Sequence, residues 1–344
     1  MSDSLRSLIN SGTKLWLDSV DPDLVLESLE QGVTGATSNP IIIADIIQSG
    51  RFDQQIRELK SRGLSTSDVA WKITDHMVSE AEKRFQPVFQ AAAGEDGYVS
   101  FEVDPLLEDV DQEMNSQQRA ERYVELAKKW SQGHTNRLIK IPATEAGLMA
   151  LPSVVAAGVN VNITLIFSLR QHAQAVEAVW QGLRERKDNQ SFKSVFSIFV
   201  SRLDVYTEKH NSDLSAESQG LTGIVNAKRV WVANNEFWNK HPQRLKQEIV
   251  FASTGTKKPS DAPWKYVEAL AGGDIQTNPP GTNHAVRESD QVFTRQIDQW
   301  PDRILLDEID GKVNFDHLEQ TLMAEGLAKF AEPQKQLLAL IDGM

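Results

Sequence analysis

Short β-type runs alternate with stretches whose apolar residues recur at helical spacing along most of the chain. The candidate strands are 14–19, 33–38, 98–103, 137–141, 159–165, 195–200, 248–253 and, weakest in pattern, 274–277. The stretches between them carry helix punctuation. Asp21-Pro22 precedes Leu24, Val25, Leu26 and Leu29, and Gly32 follows, which reads as an N-cap, a first-turn proline and a terminating glycine. Ala120, Tyr123, Val124, Ala127 and Trp130 share one helical face, as do Ala173, Val176, Trp180 and Leu183. Eight such alternations predict an α/β protein, a single (β/α)8 (TIM) barrel. A doubly wound sheet alternates in the same way, so the pattern alone leaves both open; the lack of a glycine-rich fingerprint after the first strand counts against its dinucleotide-binding form. No low-complexity linker divides the sequence. We therefore expect one domain over 1–344, with 308–344 as one or two C-terminal helices packed on the barrel and 257–264 as a loop after the seventh strand.

Composition narrows the function. The 344 residues are 40% hydrophobic and 24% charged, as in an ordinary soluble globular protein. There is no cysteine, which excludes thiol catalysis, zinc–thiolate sites and iron–sulfur clusters and fits a reducing compartment. Residues 1–11 lack the basic and apolar regions of a secretory signal, and the most apolar region, 154–167, is interrupted by Asn160 and Asn162. A formal charge of −12 argues against a general nucleic-acid binder. It leaves room for an anionic small molecule, because a few cations in one pocket suffice. The expectation is a cytoplasmic protein with neither a nucleic-acid nor a membrane partner.

Polar residues within apolar strands are the candidate chemistry. Asp18, Asn39, Glu102, Lys140, Asn162 and Thr164 fall within or at the ends of the first five strands. At the C-terminal ends of barrel strands they would converge on one mouth, where such folds react. Lys140 lies between Ile139 and Ile141, where burial would favour a neutral amine able to attack a ketone and form an iminium. Breaking the adjacent carbon–carbon bond then needs acid–base groups, and Asp18 and Glu102 are at hand. A structural ion pair between Lys140 and one of those carboxylates explains the residues about as well. Weaker signals have bland readings. The histidines show no metal spacing, and His134 reads as a surface residue. Glu108, Asp109, Asp111 and Glu113 read as a solvated loop, not a calcium site, and Ser100 and Ser168 lack triad partners. No metal site is expected.

Longer motifs decide between the two readings of Lys140. Gly35-Ala36-Thr37-Ser38-Asn39-Pro40 and Leu138-Ile139-Lys140-Ile141-Pro142-Ala143-Thr144-Glu145-Ala146-Gly147-Leu148 resemble the two transaldolase signatures. Runs at 160–168, 196–204 and 251–257 continue the likeness in the family's order, each on a candidate strand. The longer bacterial branch is the nearest form. The resemblance implies Lys140 as the Schiff-base lysine, Asp18 as the handler of the C4 hydroxyl proton and Glu102 as the group acting through water in carbinolamine dehydration. It implies Thr164 as a holder of that water, Asn39, Asn162 and Ser197 as donor-site contacts, Phe199 as a wall, and Arg202 as a phosphate ligand. After the seventh strand some relatives carry a second arginine. Here Ser253-Thr254-Gly255-Thr256-Lys257 stands in its place, so Ser253 and Lys257 become the expected contacts, with Lys258 competing. Ile198 and Ser201 depart from the usual proline and glycine.

The implied reaction is transfer of a dihydroxyacetone unit from sedoheptulose 7-phosphate or fructose 6-phosphate to an aldose phosphate in the pentose phosphate pathway. The iminium is the electron sink, so no cofactor is implied. The partners are sugar phosphates, and a homodimer is one of two assembly states found among relatives. A fructose-6-phosphate aldolase is the close rival; Glu102 and Phe199 resemble the transaldolase side. A barrel that binds sugar phosphates without catalysis is the rival from another class.

Overall fold

The computed structural model describes residues 1–186 and 190–344. Each of the eight candidate runs forms a strand: β1 (Lys14–Leu17), β2 (Gly35–Thr37), β3 (Val99–Glu102), β4 (Arg137–Pro142), β5 (Val161–Ile166), β6 (Ser194–Phe199), β7 (Glu248–Ala252) and β8 (Ile275–Asn278). All adjacent pairs are parallel, and β8 lies beside β1, closing the barrel in sequence order. Closure rules out the doubly wound sheet.

Alternation along the strands builds two apolar layers. Leu15, Phe101, Ile139, Ile141, Val161, Ile163, Phe196, Ile249 and Phe251 pack outward in the core shared with the helices. Trp16, Leu138, Val195, Val250 and Ile275 form a separate cluster that fills the barrel, joined by Tyr98. Gly35, in the first signature motif, has a packing reason. A Cβ there would stand 2.6 Å from the Trp16 indole and 2.7 Å from the Tyr98 carbonyl oxygen.

Charges at the strand starts close the opposite end. Glu248 accepts from Lys14 Nζ at 2.8 Å and from Lys193, whose side chain is fully buried. Lys246 pairs with Asp274 beside them. The polar residues within strands thus divide by height: those at the beginnings seal the floor, and those at the ends face the mouth.

Helix punctuation behaves as its chemistry dictates. Asp21 accepts from the Asp23 and Leu24 amides ahead of the helix Pro22–Glu30, and Asn115 and Gln118 form a reciprocal capping box on Ser116–Ser131. Three helices, Pro40–Gln48, Asp53–Ser61 and Thr66–Ala91, are inserted between β2 and β3. The C-terminal pair is Arg303–Lys312 and Phe315–Asp342, beginning five residues before the expected 308. The last helix crosses the helix Pro40–Gln48 and reaches over the barrel mouth, where Phe330 joins an apolar cluster with Leu165, Phe167 and Phe199. Residues 257–264 lie outside helices and strands.

Two expectations require correction. The acidic run is not wholly a solvated loop. Glu108 ends a short 3-10 helix and accepts from Thr144 Oγ1 at 2.5 Å and Tyr123 Oη at 3.0 Å, while Asp109 is buried against Lys335 of the last helix at 2.6 Å. Partners supplied by distant segments made these carboxylates burial-tolerant, and only Asp111 and Glu113 stay exposed. His134 is half-buried, with Nδ1 2.6 Å from Glu82 Oε2, rather than standing free on the surface.

Candidate active site

Register across β3, β4 and β5 sets Glu102 beside Lys140 and Lys140 beside Asn162. All three point inward because each lies an even number of residues from an inward neighbour; Lys140 follows Leu138 by two. Lys140 Nζ donates to Glu102 Oε2 at 2.8 Å and to the Ser38 carbonyl at 2.9 Å. The ion pair considered from sequence therefore exists. It is not sealed in a core, however, because Lys140 lines a cavity of about 180 Å³ at the strand C-terminal ends.

Asp18 follows the last residue of β1 and lines the same cavity. Thr37 Oγ1 donates to Asp18 Oδ1 at 2.9 Å and lies 2.8 Å from Thr277 Oγ1. With its one hydroxyl hydrogen given to Asp18, Thr37 must accept from Thr277. Burial pushes the Asp18 carboxyl up, against opposing pulls from Lys140, Thr37 and Lys257. Burial likewise pushes Glu102 up against Lys140.

β5 supplies an orphan. The ladder to β6 shifts register between Ile163 and Ile166, and Leu165 takes φ of 55°. Thr164, just before this bulge, keeps its buried Oγ1 without a hydrogen-bond partner at the cavity wall. A buried hydroxyl without a partner is costly and suits a water or substrate oxygen. Asn162 lies behind the wall. Its Oδ1 accepts from Ser197 Oγ at 2.7 Å and its Nδ2 donates to Ser100 Oγ at 2.9 Å, so Ser197 is the member of this chain that faces the cavity. Glu102 too stands behind the wall, next to Lys140. Asn39 caps the helix Pro40–Gln48 by accepting from the Ile42 amide at 3.0 Å, leaving its NH2 group for the cavity it lines.

The rim opposite is cationic. Arg202, in the first turn of the helix Ser201–His210, holds its guanidinium 5.7 Å over the Phe199 ring. Lys257 lines the cavity, whereas Lys258 lines only a neighbouring hollow with Asp204 and Asp261. Ser253 adopts φ of 56°, and its Oγ lies 3.0 Å from Ser201 Oγ. The serine at 201, where glycine is usual in the resemblance, thus braces the segment that carries Ser253 and Lys257.

The model of the family described as Transaldolase/Fructose-6-phosphate aldolase matches residues 15–341. The chain belongs to that family. A transaldolase of Thermobifida fusca is 32% identical, covering 98% of this chain and 97% of its own. Transaldolase 2 of Streptomyces avermitilis is 32% identical over 98% and 96%, and a transaldolase of an Arthrobacter species 32% over 100% and 98%. The protein is an enzyme of the transaldolase kind, a transferase of aldehyde or ketone residues. No helix among the described residues is long and apolar enough to cross a membrane.

Several parts of the site carry no signal in the sequence of this family member. Thr37 lies inside the first signature motif, yet its bond to Asp18 depends on β1 and β2 being neighbours. The Ser38 carbonyl meets Lys140 only because β2 and β4 flank β3, and Thr277 meets Thr37 only because β8 closes on β1. Phe330 is the largest omission. It forms part of the cavity wall, with Lys140 Nζ 5.7 Å from its ring. In sequence it reads only as one apolar position of an amphipathic helix, with nothing to say which surface that helix covers.

Proposed function

We propose that this enzyme is a transaldolase working through a Schiff base on Lys140. The observation that carries the reading is the Lys140 ammonium, held 2.8 Å from Glu102 and open to a polar cavity that also contains Asp18. Glu102 Oε2, 2.8 Å from Lys140 Nζ, is the base placed to take a proton from Lys140 and leave the amine that attacks. The amine attacks C2 of fructose 6-phosphate or sedoheptulose 7-phosphate. Glu102 returns the proton through a water held at Thr164, the carbinolamine loses water, and an iminium forms. Asp18 takes the C4 hydroxyl proton, the C3–C4 pair flows into the iminium, and an aldose phosphate leaves. The enamine that remains attacks C1 of a second aldose phosphate, glyceraldehyde 3-phosphate or erythrose 4-phosphate, and hydrolysis frees Lys140.

Asn39, Ser197 and, behind it, Asn162 hold the donor hydroxyls, and Phe199 forms the wall. Arg202, Ser253 and Lys257 receive the phosphate, where a guanidinium fork suits the anion. The iminium supplies the electron sink, so the mechanism calls for no metal or organic cofactor. We take 1–344 as one catalytic domain, because the C-terminal helix contributes Phe330 to the site. A cytoplasmic place in the pentose phosphate pathway completes the proposal.

Borohydride reduction in the presence of fructose 6-phosphate, followed by peptide mass spectrometry, tests it. A reduced dihydroxyacetone adduct on Lys140 is expected. An adduct elsewhere, or none with either ketose phosphate, would overturn the Schiff-base step. Release of free dihydroxyacetone at the full turnover rate without an acceptor would instead assign the aldolase activity.

A further inference from the structure

Arg202 and Lys257 line one cavity from different parts of the chain, and residues 257–264 belong to no helix or strand. A lysine on such a segment needs something to hold it in place. The helix that carries Arg202 grips the segment at both ends. At the β7 end, the Ser201 amide donates to the Ser253 carbonyl at 3.1 Å, and the two hydroxyls lie 3.0 Å apart. At the far end, Tyr266 Oη donates to Asp204 Oδ2 at 2.8 Å. Ser201 and Asp204 stand three residues apart and share one side of the helix, which leaves Arg202 for the cavity. Burial, then the Asp204 carboxylate, pushes the Tyr266 phenol up, so its hydroxyl stays a donor.

Contacts lead from the second grip back to Lys257. Lys265, next to Tyr266, holds its Nζ 2.9 Å from Asp261 Oδ2, and the Asp261 amide donates to the Lys258 carbonyl at 3.0 Å. Lys258 is bonded to Lys257. Asp204 has a plainer duty as well. Leu221 gives the helix Thr222–Lys240 no side-chain cap, and Asp204 Oδ1 accepts from the Gly223 amide at 2.8 Å in its place. A cap needs one acceptor, and a serine or asparagine would supply it without burying a charge. Capping therefore explains one oxygen of this buried carboxylate and leaves the one that holds Tyr266.

We propose that Asp204 is a positioning residue for phosphate binding: acting through Tyr266, with Ser201 at the other end, it fixes the segment 253–266 so that Lys257 and Arg202 meet the same phosphate. The inference rests on the transaldolase reading above and deepens its phosphate site.

The experiment is steady-state transfer from saturating fructose 6-phosphate to glyceraldehyde 3-phosphate and, separately, to unphosphorylated glyceraldehyde, with urea unfolding of each variant. Tyr266→Phe removes only the hydroxyl and leaves the bond from Gly223 to Asp204. The ratio of KM for the phosphorylated acceptor to KM for the unphosphorylated one should rise about three- to tenfold. Ser201→Ala should move it the same way. Lys257→Met should raise the ratio by itself, and Tyr266→Phe added to it should change the ratio little further, because both act on one contact. Lower stability in Y266F with an unchanged ratio would leave Asp204 a purely structural role and overturn the proposal. So would a Y266F effect that adds in full to that of K257M. If Y266F does not fold, an unchanged ratio in S201A overturns it. Borohydride trapping with fructose 6-phosphate separates this failure from a deeper one. An adduct on Lys140 with unchanged ratios defeats the positioning role alone, whereas no adduct and no transfer in the wild type defeats the transaldolase reading beneath it.

Discussion

Lys140, Glu102 and Asp18 form a charge arrangement whose parts can be separated by substitution. Lys140→Arg keeps a cation beside Glu102, but a guanidinium does not deprotonate. We expect K140R to fold and to lose turnover by about 10⁴-fold or more, as when a covalent nucleophile is removed; circular dichroism and the transfer assay check the two halves. A purely structural lysine would instead leave the rate near wild type. The pH profile adds a second test. Asp18 must be ionised to accept a proton, and burial raises its pKa. The acid limb of kcat/KM should therefore lie above the ordinary aspartate value of about 3.9. An acid limb at or below that value would remove Asp18 as the base. The residue types and the strand positions of this trio are legible in sequence. Their hydrogen bonds are not, because Ser38, Thr37 and Thr277 become partners only through neighbouring strands.

At the scale of the element, the C-terminal helix is the part whose role the pattern could not reveal. Its apolar stripe predicts a packed helix, and the expected region 308–344 does contain one. Which surface it packs on depends on the bulge in β5, where Leu165 leaves the ladder with φ of 55° and points into the cluster that receives Phe330. Phe330→Ala should cost about 3–5 kcal/mol if the roof stayed fixed around the gap, and less if it collapsed. The more telling readout is partition. With the roof opened to water, the Schiff-base intermediate should hydrolyse more often before it meets an acceptor. The ratio of free dihydroxyacetone to transferred product, measured in one reaction mixture, should rise. A fall in stability with no change in that ratio would limit Phe330 to packing.

Across the whole molecule, the barrel keeps its buried charges at two heights with different duties. At the floor, burial pushes Glu248 up, yet Lys193 and Lys14 together outweigh it and hold the carboxyl below its ordinary value. A carboxylate with a depressed folded pKa stabilises the fold above its unfolded pKa of about 4.3 and loses that contribution as pH falls through the folded value. Glu248→Gln takes from the buried Lys193 ammonium its nearer counter-charge and leaves it only the partly exposed Glu95 carboxylate, 3.5 Å away. It should cost about 3–5 kcal/mol in urea unfolding near neutral pH and flatten the loss of stability below about pH 4.3, with KM unchanged. A change in KM with unaltered stability would contradict this division of the barrel into floor and mouth.

The order of elements was in the sequence, since strand and helix periods survive in local spacing and each of the eight runs carries its own apolar alternation. The candidate reacting groups were legible there too, because a lysine or carboxylate within an apolar strand stands out before any folding. Tertiary structure decided what no local window holds: closure of β8 on β1, the burial of Glu108 and Asp109 by distant partners, and the roof over Lys140. It also put Lys257 rather than Lys258 on the cavity wall. Those features depend on which surfaces meet across hundreds of residues, and the side-chain pattern records only that each surface seeks a partner.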